Sequence, residues 1–478
     1  LDTRSVYRAD ALGAPWLVLR TRKRNFAVMK AYALWILIIS EGLVGAAPGG
    51  PGSPPPDAGS DRRQLTPAYL NELAEELRQN HPALAAARQR TNAAAAAVGA
   101  VRTWEDPLAR IGGMAASERM RAEEGDLIYG IEQKLPLFGK PRLARQAAQA
   151  GLATASAELQ YREQVLRSEL AKQAFRTALA DEVLRIGRED LGWLEVMVAA
   201  VEARYRSGQA TLVDVLQLQN ERSRRATQLE TDRELLAQER VALNRLVNRA
   251  LDSPWPTLEL PPVAGPVPYS QKLVDFALKF EPRLRVLQRE TGEAEAALEL
   301  TRRQRLPEVS AGLEARNSTG DGSFRQGMVV LSVNLPWFNR GKYRSDIQRE
   351  EARVAATRHE REDYELALRE ELRGLTVRID AARREALSYQ SEILPRSQTA
   401  LASARAGWES GRNPLRDLLD ARRMLLDARL GESRARAEQY QRLTDLVLCC
   451  GLGDLEALDM LRVLPSDLSS QTSTSTKP

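Results

Sequence analysis

His81 and His359, Cys449 and Cys450, and seven methionines are the side chains that could hold a metal, and 64 carboxylates could supply an acid-base pair. Neither chemistry finds its spacing. The two histidines stand far apart, so the sequence contains no ligand cluster of metal-binding spacing. The carboxylates interleave with 69 Lys and Arg, the pattern of solvated helix faces rather than of a catalytic pair. Adjacent cysteines cannot build a disulfide framework, and a bridge between neighbours is strained, so Cys449 and Cys450 read as two small residues at a helix end. The Gly-x-x-Gly arrangements lack the strand-to-helix context of a phosphate loop. No enzyme, cofactor or metal is expected. With a formal net charge of +5 and no aromatic-basic module, nucleic acid is not expected either.

The positions that do recur belong to a duplication. Leu135, Pro136 and Phe138 match Leu335, Pro336 and Phe338, and a Gly-Lys pair follows each (Gly139-Lys140, Gly341-Lys342). The same offset of 200 carries His81-Pro82 onto Glu281-Pro282 and Pro107 onto Pro307. At an offset of 203, Tyr205-Arg206-Ser207-Gly208 with Asp214 answers Trp408-Glu409-Ser410-Gly411 with Asp417. One long unit is present twice.

Two ends and a connector frame the copies. Met29-Lys30, the apolar run to Ile39 and Gly45-Ala46-Ala47 read as a signal peptide over 29–47. Residues 1–28 are either upstream sequence from a misplaced start or, through Arg20 to Arg24, an extended positive lead. No cysteine lies near the cleavage site, so no N-terminal lipid anchor is expected. Residues 48–65 read as a flexible Pro/Gly-rich lead, 251–268, with six prolines, as a semi-rigid connector, and 451–478 as a partly disordered tail. The repeats are then 66–250 and 269–450.

Within each repeat the periodicity changes in the same order. A first helix carries a seven-residue seam (Leu70, Leu77, Leu84, Thr91, Val98; then Ala277, Leu284, Thr291, Leu298) until Pro107 or Pro307 stops it. Period-two segments follow, predicting β-hairpins over 107–136 and 307–336, with Val329, Leu331, Val333 and Leu335 on one face and the turn Asn317 to Ser323 between strands. Strands of about ten residues suit a tilted crossing of an outer membrane. Four strands make an open sheet whose unpaired edges hydrocarbon would not tolerate, so one chain cannot close a barrel. Two copies would give the small, filled eight-stranded limit and three would give twelve strands with a passage, so a homotrimer is expected. Nearly proline-free runs of about 70 residues, extending roughly 100 Å, come next. Pro395 should kink or interrupt the second run, with Gly192 at the equivalent place in the first. The runs end at Ser207-Gly208 and Ser410-Gly411, turn, and return as further helices. The fold class is mainly α, with long helical hairpins and four transmembrane β-strands per chain.

With the duplicated Leu-Pro-x-Phe and the turns Tyr205-x-x-Gly208-x-x-Thr211-x-x-Asp214 and Trp408-x-x-Gly411-x-x-Pro414-x-x-Asp417 in view, the chain resembles the TolC family of outer-membrane efflux proteins over nearly all of its mature length. The resemblance implies a trimeric twelve-stranded barrel in outer-membrane lipid, continued by a periplasmic helical barrel. Solutes would be handed over by an inner-membrane pump through a periplasmic adaptor. By the same resemblance, Gly208, Thr211, Gly411 and Pro414 would form the tips that meet the adaptor, and Asp214 and Asp417 would ring the aperture, where acids favour cations. Both aspartates also sit in a first helical turn, where they would stabilise the N-terminal dipole. Pro414 departs from the family's usual Ser or Thr but suits a helix start. Phe138-Gly139-Lys140 is similar to the family's heavy-metal branch, so a metal-cation conduit stands beside a drug or small-solute conduit. A periplasmic coiled-coil adaptor or scaffold without a pore is the reading from another class, against which the duplicated hairpins and alternating strands argue.

Overall fold

The computed structural model describes residues 62–114 and 125–458. The expected signal peptide, the segment before it, the lead up to residue 61, the tip of the first β-hairpin and the tail from 459 lie outside the described residues. The element order is β1 (Arg62–Gln64), α1 (Pro67–Asn80), α2 (Pro82–Ala100), β2 (Leu108–Met114), β3 (Asp126–Lys134), α3 (Lys140–Arg206) and α4 (Leu212–Val247). After the connector follow β4 (Thr257–Glu259), α5 (Gln271–Phe280), α6 (Pro282–Gln304), β5 (Val309–Ser318), β6 (Phe324–Val333), α7 (Arg340–Ser388), α8 (Leu394–Glu409) and α9 (Leu415–Cys449). No helix among the described residues is long and apolar enough to cross a membrane.

Three expectations need correction. The first helix of each repeat is two helices, because Pro82 and Pro282 interrupt the amide ladder and the preceding residue becomes a cap. His81 Nδ1 accepts the Ala83 N–H at 3.1 Å, and the Glu281 carboxylate accepts the Leu284 N–H. The lead does not stay loose to residue 65, since β1 pairs in parallel with β4. The connector is likewise more than a spacer. Trp255, Leu258, Leu260 and Val267 are buried, the Leu258 N–H donates to Asp181 at 3.0 Å, and Gln439 holds both the N–H (3.1 Å) and the carbonyl (2.9 Å) of Ala264. At Pro395 the α-helix is interrupted, as expected, but the chain stays helical. The missing N–H is absorbed by one π-helical turn, Tyr389–Ile393, after which α8 continues. Gly192 leaves α3 uninterrupted.

Two apolar cores meet near Tyr440. In the first, Leu77, Leu84, Phe175, Leu243 and Leu258 are fully buried, and Phe175 stacks on Tyr440 at 5.1 Å. The second joins α5, α7 and α9 through Leu273, Leu372, Ile379 and Leu446. The beginning of the tail belongs to it, because Leu458 is buried there. A third core, with Leu194, Val201, Leu218, Leu415 and Leu418, fills the far end of the helical hairpins.

Candidate functional site

At one end of the molecule the four long strands form a single antiparallel sheet in the order β2-β3-β5-β6. Its register gathers most apolar side chains on one face and the charged ones on the other. Leu313 lies opposite both Ile131 and Val329, and Ile111 opposite Tyr129. That face is bare: Ile111 is 82% exposed, Val329 76%, Leu313 67% and Ile131 61%. The other face carries Arg110, Glu132 and Glu314, with Arg110 bonded to Glu132 and 3.8 Å from Glu314. Glu132 stands opposite Gly312 and Glu314 opposite Gly130. A Cβ at Gly130 would meet the Glu314 side chain at 2.7 Å, so the glycine makes room for the acid beside it. A sheet apolar on one side and ionic on the other fits lipid outside and water inside. The outer sides of its edge strands, β2 and β6, have no partner strand among the described residues.

The recurring Leu-Pro-x-Phe marks the passage from strand to helix. The Leu135 N–H extends the ladder to the Val309 carbonyl at 2.9 Å, after which Phe138 (φ 60°) and Gly139 (φ 70°) take left-handed turns into α3. A left-handed phenylalanine is uncommon and uphill, so the turn is held by its surroundings. Lys140 Nζ ties it to the Leu306 carbonyl at 2.7 Å and to Glu308 at 3.3 Å. In the second copy Pro336 is buried, while Leu335, Trp337 and Phe338 are exposed, Phe338 by 82%. Exposed aromatics directly below an apolar band are what a membrane interface selects.

At the opposite end the two helical turns lie side by side. Gly208 (φ 76°) and Gly411 (φ 71°) take the left-handed conformation, with open space around both. Thr211 and Asp214 form a reciprocal cap on α4: Thr211 Oγ1 accepts the Asp214 N–H at 3.2 Å, and Asp214 Oδ2 accepts the Thr211 N–H at 3.0 Å. Pro414 makes no side-chain cap, and exposed Asp417 lies in the first turn of α9. Capping therefore occupies Asp214 and leaves the Asp417 carboxylate facing solvent. The turns are joined by Arg204, which donates to the carbonyls of Trp408 (2.9 Å) and Glu409 (2.8 Å) and lies 4.0 Å over the Trp408 ring. Arg204 closes the C-terminus of α8 from the neighbouring helix.

Sequence reading missed Arg204, whose duplicate is Gly407. The duplication itself held the signal, because an arginine in one copy answers a glycine in the other, where a Cβ would meet Asn413 at 2.7 Å. A second missed feature is Asp190, buried on α3 and held at 2.8 Å by Arg225 of α4 and at 2.8 Å by Arg422 of α9. It fastens the two hairpins above the tips. Cys449 and Cys450 are free and buried, and burial pushes both thiols up, Cys450 to about 12, so they are protonated and unreactive.

The model of the family described as outer membrane efflux protein matches residues 73–249 and 273–452. A curated relative, the pyoverdine export outer membrane protein OpmQ of Pseudomonas putida, is 24% identical over 420 residues, 80% of this chain and 86% of its own length. Among solved structures, the outer-membrane channel OprN superposes with a TM-score of 0.71 at 21% identity, covering 81% of this chain and 90% of its own. The outer membrane protein VceC of Vibrio cholerae does so with 0.68 at 20% identity, covering 81% and 97%. These matches overturn the pore-free scaffold reading.

Proposed function

The chain belongs to the outer membrane efflux protein family and is an efflux channel of the outer membrane; from that premise we propose how it is built and what it passes. Three copies join β6 of one chain to β2 of the next, closing a twelve-stranded barrel, and their helical hairpins continue it as a periplasmic tube. The observation that carries this is the sheet itself, apolar on one face, ionic on the other and open at both edges. Unpaired edge amides in hydrocarbon would cost several kcal/mol each, so the sheet must be completed by other copies.

The tube is a passive conduit for small solutes, handed over by an inner-membrane pump through a periplasmic adaptor that meets the turns at Gly208, Thr211, Gly411 and Pro414. On the ionic face of the sheet, three arginines stand among three carboxylates: Arg110 beside Glu132 and Glu314, Arg325 at 3.3 Å from Asp126, and Arg316 on the same face of β5. Charges balanced in this way favour neither sign of ion, which supports small organic solutes over metal cations as cargo. OpmQ bears the name of an exporter of one such molecule, pyoverdine. The direct experiment is extraction of the protein from outer membranes followed by mass measurement and planar-bilayer recording. A stable trimer that conducts ions is expected, and soluble periplasmic monomers would refute the reading.

A further inference from the structure

Where β6 runs into α7, a groove of about 490 Å³ is lined by Arg305, Trp337, Arg340, Tyr343, Arg344 and Ile347. Three guanidinium groups face one carboxylate there, Glu351, and Glu351 is already paired with Arg302 at 3.0 Å. None of the three forms an ion pair among the described residues, although neighbouring Arg302, Arg349, Arg353 and Arg358 all do. The duplication provides an internal comparison. At the corresponding junction of the first repeat, a cavity of about 350 Å³ holds Lys134 and Lys140, and both are neutralised. Lys134 pairs with Glu105 at 2.8 Å and Glu308 at 2.9 Å, and Lys140 with Glu308 at 3.3 Å. The second junction therefore gathers three guanidinium groups without an ion-pair partner among the described residues into one groove, where the first cavity holds a single such cation, Arg102.

We propose that this groove binds the phosphate of an anionic glycerophospholipid in the periplasmic leaflet of the outer membrane. Guanidinium forks match phosphate oxygens in pairs, and clustered arginines are the usual means of holding that group. The surroundings select a lipid over free phosphate. Exposed Leu331, Val333 and Leu335 lead straight to Trp337 and Phe338, giving acyl chains an apolar wall and the headgroup an aromatic shelf. Lys342, 5.7 Å from the Tyr343 ring, adds a fourth cation at the rim. This inference rests on the membrane crossing proposed above and is independent of what the channel exports.

The test uses the full protein in vesicles of phosphatidylcholine with a minor fraction of phosphatidylglycerol, one or the other brominated near the headgroup end of its acyl chains. Quenching is assigned to Trp337 by difference from Trp337→Phe. At equal mole fraction, brominated phosphatidylglycerol should be about fivefold enriched at Trp337 over brominated phosphatidylcholine, the factor a single well-placed basic residue supplies. The double variant Arg340→Gln/Arg344→Gln, shown to be folded by intact pores in a planar bilayer, should bring the two lipids to parity. Soluble glycerol phosphate should leave the preference in place. Parity in the parent protein, a preference that survives the double substitution, or its loss to glycerol phosphate would each overturn the lipid site. Absence of quenching by either lipid would instead place Trp337 away from the bilayer and overturn the crossing itself.

Discussion

Two glycines with the same sign of φ make opposite demands on their surroundings. Gly208 stands in open space at φ 76°, so Gly208→Ala meets only the backbone cost of a left-handed alanine, about 1 kcal/mol. Gly451, at φ 61°, closes the end of α9 against α5, and a Cβ there would sit 2.0 Å from the Phe280 carbonyl oxygen. Gly451→Ala must therefore displace backbone, and its loss of stability should exceed that of Gly208→Ala several-fold; thermal unfolding of the two variants side by side would show it. Glu281, beside the same contact, offers a pH test. Burial raises its carboxyl above the ordinary 4.5, an effect partly opposed by the Leu284 and Arg283 amides and the Tyr364 hydroxyl, which donates at 2.9 Å. A raised folded-state pKa gives stability that is complete below the unfolded value and is lost as pH rises through the folded one. Melting temperatures of the parent and Glu281→Gln should diverge in favour of the variant from about pH 4.5 upward. Parallel curves would mean that Glu281 is charged in the fold at no cost.

Capping distinguishes the two copies at the level of helices. Thr211 supplies α4 with a side-chain cap, whereas Pro414 supplies α9 with none, its start being set by buried Leu415 and Leu418. Thr211→Ala should cost about 1 kcal/mol, read as faster amide exchange in the first turn of α4, while Pro414→Ala changes the first turn of α9 much less. Equal effects at both tips would show that the bonded cap at Thr211 contributes nothing. This asymmetry was already legible, because Thr211 and Pro414 differ in the sequence. Strand alternation was legible too, since a period of two assigns Val329, Leu331 and Val333 to one face without further information. What sequence could not supply was contact between distant elements. β1 and β4 are three residues each, too short for any periodicity, and each exists only because the other is there. Arg204, Asp190 and Gln439 look like ordinary helix-surface residues until the opposing helix or connector arrives. The π-turn before Pro395 escaped for a related reason: proline announces a missing hydrogen bond, but whether a helix breaks or bulges depends on how tightly α9 holds it. Gly431 of α9 lies against Tyr389, and a Cβ there would meet that ring at 2.4 Å, which fixes the bulged turn in place.

In the whole molecule, duplication and assembly answer the same physical problem at different levels. One repeat brings a β-hairpin with two open edges; β3 and β5 join two such hairpins within the chain and still leave the outer edges of β2 and β6 unpaired among the described residues. Nothing among the described residues covers those edges, so the membrane-facing apolar surface and the proposed oligomer depend on each other. A charge placed on either face of the sheet separates the two requirements. Leu313 lies in the middle of β5 with Ile131 and Val329 on either side, all three exposed. An arginine at such a midplane position costs about 2–4 kcal/mol in a lipid-facing strand, and every copy of an oligomer would bear it. Leu313→Arg should therefore sharply reduce the assembled protein recovered from outer membranes. Met328 is the control, because it lies on the ionic face directly opposite Glu314. Met328→Arg gains a carboxylate neighbour in a watery lumen, so it should assemble at parental levels and alter conductance instead. If Leu313→Arg assembled and conducted normally, the exposed face would not be the one that meets lipid, and the barrel would have to be turned inside out.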